Sequence, residues 1–490
     1  MDHTPRKIVA NTLLFTGTLA IQKVISFLYF WFISAQLGPE GLGTYVWALS
    51  LTTLFSIGVD LGLAPLLTRE AARDPDRVER LLRNVLGLKI FFALGTLLLL
   101  AATLILTHRP TAIIIVVGFA AAVMIFDSFS LTFWSVLRAR QNVSYESMAM
   151  LTFHIVLFVC GAALLTISRS AIFAAAALAI VSGLVCLSAL LVVRFRYGMH
   201  LAPRFGRETW GSLVGLLPAF AIAGIFVRLY NAADTIILGY LVGTSAVGLY
   251  SIPAKITTAL QVLIPGAFVA SLYPAMSHYY KTSHLELERL FVRALGYLML
   301  IVIPLTVGLF ILSGPLVESV WPAYRAIIPT FRLMTLGLPF LFATFPTGYF
   351  LNAADRERRN STNRGIITGL NIALNLALIP FFGVLGAGTA FLIANVALFF
   401  LDLHAVRAVI PFSWRWLGGT FFKVSIASLV MAVVLFFIVS KVAVGFSVLI
   451  GAATYIIIAI TTRMVSKEEI LFLRTIFTAS KPSLLETPEL

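Results

Sequence analysis

Long apolar runs separated by short polar segments fill nearly the whole chain. Each run is long enough to cross about 30 Å of hydrocarbon as a helix. We therefore predict an all-α polytopic membrane protein with about fourteen membrane-spanning helices. Their approximate bounds are 10–36, 42–68, 84–107, 111–137, 146–168, 170–193, 211–242, 246–276, 291–313, 325–352, 365–381, 386–407, 416–439 and 442–462.

One polar turn, at Gly243, joins two apolar runs that each contain a charge. Asp234 lies in the run before the turn and Lys255 in the run after it. At about 1.5 Å per helical residue, both charges lie at similar depth. An isolated charge in hydrocarbon costs several kcal/mol, which favours an Asp234–Lys255 ion pair. A second interpretation, compatible with the first, is that both charges face a central cavity.

The same hairpin occurs earlier in the chain. An offset of 205 residues aligns Lys23 with Arg228, Gly38 with Gly243, Gly43 with Gly248 and Tyr45 with Tyr250. Two halves of equal orientation are typical of parallel-repeat transporters, whose substrate site lies between the halves. We therefore predict an N-lobe of six spans over 1-207 and a C-lobe of six spans over 208-410. Two further spans follow over 411-465, and a cytoplasmic tail over 466-490.

Composition and charge agree with a membrane protein. The chain is 60% hydrophobic and only 12% charged, with a formal net charge of +15. Nearly all the loop cations fall on alternate loops, and the opposite loops hold only Arg109, Arg169, Arg325 and Lys441. Cytoplasmic loops carry the excess of Lys and Arg, so both termini are predicted to be cytoplasmic. The positive charge therefore anchors the protein in the bilayer and does not indicate a nucleic-acid partner.

Several charges lie inside the predicted spans. Lys23 and Arg228 are near mid-depth, and Lys255 and Arg332 lie in the outer half. Lys89 and Lys423 are placed near cytoplasmic ends, where a long side chain can reach water. The acids are Asp60, Asp127 and Asp234, with Asp402 near a cytoplasmic end. Helical spacing puts Ser56 and Thr53 on the face of Asp60. Polar stripes of this kind either bond neighbouring helices or line a watery cavity.

Enzyme signatures are missing from the sequence. It contains no phosphate-binding Gly-rich loop, no zinc-ligand spacing and no nucleophile elbow. We expect a protein that is not an enzyme and has no catalytic residues, cofactor or metal site. Transport must then run downhill or be coupled to H⁺ or Na⁺, with Asp60, Asp127 and Asp234 as the candidate coupling sites.

Three sets of motifs resemble a known family. They are LGPEGLGTY, DLGL and TREAAR in the first hairpin, DTIILGY and VGLYSIPAKI in the second half, and FWSVLRARQN in the fourth span, echoed by YFLNAADRER in the tenth. This pattern is similar to the polysaccharide transporter (Wzx-type flippase) family of the MOP superfamily. The resemblance covers essentially the whole chain, including the count of fourteen spans.

The resemblance implies two pseudo-symmetric six-helix lobes in a V shape, with two extra C-terminal helices. It also implies a flippase that moves a polyprenyl-pyrophosphate-linked oligosaccharide from the cytoplasmic to the outer leaflet of the cell membrane. The candidate diphosphate-binding residues in a central cavity are Lys23, Arg228, Lys255 and Arg332. The partners would be the lipid-linked oligosaccharide, the bilayer and polysaccharide-assembly proteins.

Other functions stay open at this point. One is a MATE-type cation or drug antiporter, which depends on cavity acids, whereas the mid-depth charges here are cationic. A second is a lipid II flippase, in which we expect more intramembrane arginines. A membrane glycosyltransferase or an assembly scaffold belongs to a different class, and short outer loops and internal symmetry argue against them.

Overall fold

The computed structural model describes residues 5–142, 144–204, 225–226, 228–411, 414–462 and 464. All regular elements in this part of the chain are helices. They are α1 (Pro5–Asp60), α2 (Leu63–Arg73), α3 (Val78–Leu106), α4 (Thr111–Ala139), α5 (Ser144–Ile167), α6 (Ala171–Leu191), α7 (228–241), α8 (Thr244–Gln261), α9 (Ala267–Thr282), α10 (His284–Val320), α11 (Ile328–Ala353), α12 (Glu357–Phe382), α13 (Val384–Arg407), α14 (Trp414–Ile438) and α15 (Val444–Thr461).

Twelve helices in the described part of the chain are long and apolar enough to cross a membrane. One of them, Ile21–Asp60, overlaps the first two predicted spans and is broken at Gly38. Much of the seventh predicted span and the 466-490 tail lie outside the described residues. The chain is therefore a multi-pass membrane protein, as predicted, and the count of fourteen spans stays a prediction.

Two breaks shape the first hairpin. Gly38 has φ 66° and ψ −179°, in a region that glycine adopts more easily than other residues, so α1 bends sharply there. The second break follows Asp60, where Leu61 and Gly62 both have positive φ. The prediction of one continuous span over 42–68 was wrong, because α1 ends at Asp60 and α2 starts at Leu63.

Several helices extend beyond their predicted spans. α10 runs over His284–Val320 and α12 over Glu357–Phe382, whereas the predicted bounds were 291–313 and 365–381. Hydropathy locates the apolar middle of a helix, and backbone hydrogen bonds can continue into polar residues at either end.

Packing divides the chain into two compact units. The first unit is Phe15–Ser251, and the second contains the described residues from Ile252 onward with the start of α1. The first has a core where α2, α3, α4 and α6 meet, with Leu66, Leu137 and Val193 among its buried side chains. In the second, α10 packs against α11 and α14. The predicted lobe boundaries at 207, 410 and 465 stay predictions.

Candidate functional site

A cavity of about 340 Å³ lies within the first unit, between α1, α4, α6 and α7. Its polar wall includes Thr53 and Ser56 on α1, Asp127 and Ser128 on α4, and Arg228 on α7. The structure thus brings together one predicted substrate cation, one predicted coupling acid and the predicted hydroxyl stripe.

Arg228 is anchored inside this cavity, since its guanidinium donates a hydrogen bond to Ser56 Oγ. A guanidinium carries five N–H donors in a planar fork, and one hydroxyl uses only part of them. The same geometry suits two oxygens of a phosphate or carboxylate. Arg228 can therefore keep its position on Ser56 and still donate to an anion in the cavity.

Asp60 and Lys89 form a buried ion pair beside this cavity. Lys89 Nζ donates to Asp60 Oδ1 at 2.8 Å, to the Ser128 carbonyl at 2.6 Å and to Thr132 Oγ1 at 2.6 Å. These three acceptors match the three donors of an ammonium group. Ser128 connects the pair to the cavity, because its carbonyl accepts from Lys89 and the residue also lines the cavity wall.

The prediction that Lys89 reaches water was therefore wrong. Its side chain is fully buried, because α1 and α4 offer it acceptors inside the unit, namely Asp60 on α1 and Ser128 and Thr132 on α4. The sequence signal for the pair was the presence of one acid and one cation in apolar surroundings, 29 residues apart. That separation gave no indication that they meet.

Asp234 has Tyr250 as a partner. The Tyr250 hydroxyl donates to Asp234 Oδ2 at 2.8 Å, across the turn at Gly243. The 205-residue repeat had singled out Tyr250, but only as a match for Tyr45. The ion pair between Asp234 and Lys255 stays a prediction.

The remaining candidate cations lie elsewhere. Lys23 is exposed and does not line the cavity that contains Arg228. Arg332, in the second unit, donates from Nε to Ser313 Oγ at 3.0 Å and lies 5.4 Å from the centre of the Phe310 ring. A substrate role for Lys23, Lys255 and Arg332 stays a prediction.

Gly43 and Gly248, which the offset of 205 residues aligns, lie in direct contact. A Cβ atom on Gly43 would lie 1.7 Å from the Thr244 carbonyl oxygen, and one on Gly248 would lie 1.8 Å from the Pro39 carbonyl oxygen. Only glycine allows this backbone-to-backbone crossing of α1 and α8. The offset predicted that these residues are equivalent, and the structure adds that they touch.

Arg109 makes contacts with two aromatic rings that the sequence did not reveal. Its guanidinium carbon lies 4.8 Å from the centre of the Trp47 ring and 4.3 Å from that of Tyr240. Such cation–π contacts hold a guanidinium against aromatic faces. Arg109 thus links the loop between α3 and α4 to both α1 and α7.

Comparison with known proteins identifies a family whose profile matches this chain. The profile of the family described as "Polysaccharide biosynthesis protein" matches residues 8–280. Two relatives from Haloferax volcanii are also similar. "Probable flippase AglR" is 33% identical over 240 residues, which cover 46% of this chain and 49% of that protein. "Probable low-salt glycan biosynthesis flippase Agl15" is 26% identical over 240 residues, which cover 48% of each chain.

A solved structure supports the fold. A lipid II flippase MurJ in an inward closed conformation superposes with a TM-score of 0.72 at 16% identity, covering 92% of this chain and 99% of that one. At this identity the likeness concerns the fold alone. The matched region spans about half of the length of each Haloferax relative.

Proposed function

We propose that this chain, which belongs to the polysaccharide biosynthesis protein family, is a flippase for a polyprenyl-pyrophosphate-linked oligosaccharide. The observation that carries the proposal is the polar cavity of the first unit, where Arg228 is held by Ser56 among apolar helices. The names of the two Haloferax relatives describe flippases, one of them for glycan biosynthesis, and support the same activity.

A lipid-linked oligosaccharide presents two different surfaces to its carrier. Its sugars and diphosphate cannot enter hydrocarbon without losing their hydration, whereas its polyprenyl tail can stay in lipid. A cation in a partly hydrated cavity gains about 4 kcal/mol from each close contact with a phosphate charge at an effective dielectric near 20, before desolvation. Arg228 supplies such a cation. The hydroxyls of Thr53 and Ser56 can form hydrogen bonds with sugars, as donors or as acceptors.

The direction of transport follows from the distribution of cations. If the Lys- and Arg-rich loops are cytoplasmic, both termini are cytoplasmic and the substrate is loaded from the inner leaflet of the cell membrane. Alternating access would then expose the head group to the outer side. Polysaccharide-assembly proteins would receive the product there.

Asp127 is the coupling acid that this cavity favours. It lines the same cavity as Arg228, whereas Asp60 is already neutralised by Lys89. A carboxylate facing water within a membrane span can exchange H⁺ or Na⁺. Replacing Asp127 by Asn should therefore remove the dependence of transport on the ion gradient.

The test is glycan export in cells with surface expression confirmed. Arg228→Ala should abolish export, and Arg228→Lys should retain part of it, because lysine keeps the charge and loses the planar fork. Arg325→Ala is the matched control, since Arg325 is exposed and its contact with the exposed Glu318, at 3.7 Å, is long. Normal export by Arg228→Ala would reject the proposed substrate site.

A further inference from the structure

Another buried acid lies in the second unit, whereas the cavity described above lies within the first. Asp402 on α13 is fully buried, and two neutral side chains contact its carboxyl group. Asn363 Nδ2 lies 2.8 Å from Oδ1, and Thr347 Oγ1 lies 3.4 Å from Oδ2. The three residues come from three helices, α13, α12 and α11.

No cation forms an ion pair with Asp402 among the residues that the structure describes. Of the charged side chains on the helices that pack against α13, Arg364 on α12 acts on Asp402 through its electric field. Its own Nε donates to Asn360 Oδ1 at 3.2 Å. The other charges on these elements are Arg332 on α11, Glu357, Arg358 and Arg359 on α12, and His404 and Arg407 on α13.

The amide of Asn363 gives a second, independent observation. Asn363 is fully buried and its Oδ1 has no hydrogen-bond partner among the described residues. An unpartnered amide oxygen beside a buried carboxyl is unfavourable unless a positive charge or a donor arrives there. The pocket is therefore rich in acceptor oxygens, which makes a negative charge on Asp402 less favourable there than a neutral carboxyl group.

A proton on Asp402 can be accommodated with no change in packing. Thr347 has a single hydroxyl hydrogen, and its oxygen lies 3.3 Å from the Ala343 carbonyl and 3.2 Å from the Thr344 carbonyl. If Asp402 Oδ2 carries a proton, it can donate to Thr347 Oγ1 while the threonine hydrogen points to one of those carbonyls. An ionised carboxylate with only two neutral partners would instead cost several kcal/mol in the interior.

We propose that the Asp402 carboxyl, together with Thr347 and Asn363, is a second proton-binding site, which acts in addition to Asp127 to couple transport to a proton gradient. This role rests on the proposed flippase function, whereas the binding of the proton does not. In the loading step an O–H bond forms at Oδ2 with a proton taken from water. In the release step that bond breaks, the proton returns to water on the other side, and the threonine hydrogen turns to Oδ2.

Infrared difference spectroscopy of the purified full-length protein in lipid vesicles tests the binding step directly. At neutral pH the spectrum should contain a C=O band of a protonated carboxyl group that disappears in Asp402→Asn. The band should persist in Asp60→Asn, the matched control, because Asp60 is paired with Lys89. Thr347→Val should shift the band, since the acid would lose its acceptor, and this variant serves if Asp402→Asn does not fold.

Three results would overturn the site: no band assignable to Asp402 from acidic to alkaline pH, a band that Thr347→Val leaves unshifted, or a band that sodium abolishes at constant pH. The last result would identify Na⁺ as the ligand. The coupling role is tested separately by flipping under an imposed pH gradient, which should accelerate the wild type and not Asp402→Asn. If the flipping rate of the wild type does not change with the pH gradient, the proposed coupling is wrong. If the wild type does not flip the lipid-linked oligosaccharide at all, the proposed function is wrong, whereas the infrared evidence for proton binding still holds.

Discussion

Asp60 in the first unit and Asp402 in the second are both buried acids, yet their surroundings differ in charge. Asp60 bonds to the ammonium of Lys89 at 2.8 Å, and Lys89 is itself saturated by Ser128 and Thr132. Asp402 has an amide and a hydroxyl as its partners. The first arrangement has no unmet charge and can hold α1, α3 and α4 together permanently. In the second, a negative charge on Asp402 has no ion-pair partner among the described residues.

The difference separates a structural pair from an exchangeable site. Breaking a buried ion pair strands a charge, which makes both residues of the pair poor candidates for a cycle of loading and release. A buried acid with neutral partners changes its net charge whenever a proton arrives or leaves. Substitutions at equivalent places in the two sites should therefore have unequal effects.

The largest effect is expected from Lys89→Met. Methionine fills a similar volume but leaves the Asp60 carboxylate buried without a cation, so the free energy of unfolding in detergent should fall by about 3–5 kcal/mol. A double-mutant cycle with Asp60→Asn provides the control. The double variant should recover part of the loss, and a cycle with no coupling energy would contradict the pair.

The same substitution, threonine to valine, can be made beside each of the two buried acids. Thr132→Val removes a hydroxyl that accepts from a charged ammonium and should lower the free energy of unfolding by about 1.5–3 kcal/mol. Thr347→Val removes a hydroxyl beside a neutral acid and should cost only about 1 kcal/mol. Equal losses, measured by chemical denaturation of both variants in the same detergent, would indicate that Asp402 is ionised.

Asp402→Asn should have the smallest effect on stability. Asparagine has the shape of a protonated aspartic acid, and its NH₂ group can donate to Thr347 while its oxygen accepts from Asn363. We expect the free energy of unfolding to change by less than about 1 kcal/mol. Asp60→Asn in the same assay should cost more, because Lys89 then keeps a buried charge with neutral acceptors and no anion beside it. A larger loss for Asp402→Asn than for Asp60→Asn would reverse the comparison.

Much of the fold could be predicted because hydropathy, turns and repeats are local signals. The apolar runs located most of the helices, and the offset of 205 residues identified Gly43 and Gly248 before their contact was visible. The break after Asp60 was missed, since a single glycine within an apolar stretch does not reveal a positive φ at two successive residues.

The site could be predicted only in part. Arg228, Asp127 and Ser56 were recognisable as polar residues in apolar helices, and the structure places them on one cavity. Hydropathy does not say which face of a helix meets which neighbour. It therefore placed Lys89 in water, left Tyr250 out as the partner of Asp234 and gave Asp402 no role, although all three outcomes depend on contacts between helices.

The most direct test of the flippase itself is a comparison of two lipids in proteoliposomes containing the purified protein. One lipid carries a short oligosaccharide through a pyrophosphate, and the other carries the same sugar and tail through an uncharged linkage. The account predicts that the wild type moves the pyrophosphate lipid faster, and that Arg228→Ala removes this preference while Arg228→Lys keeps part of it. Equal rates for the two lipids in the wild type would contradict recognition of the diphosphate at Arg228.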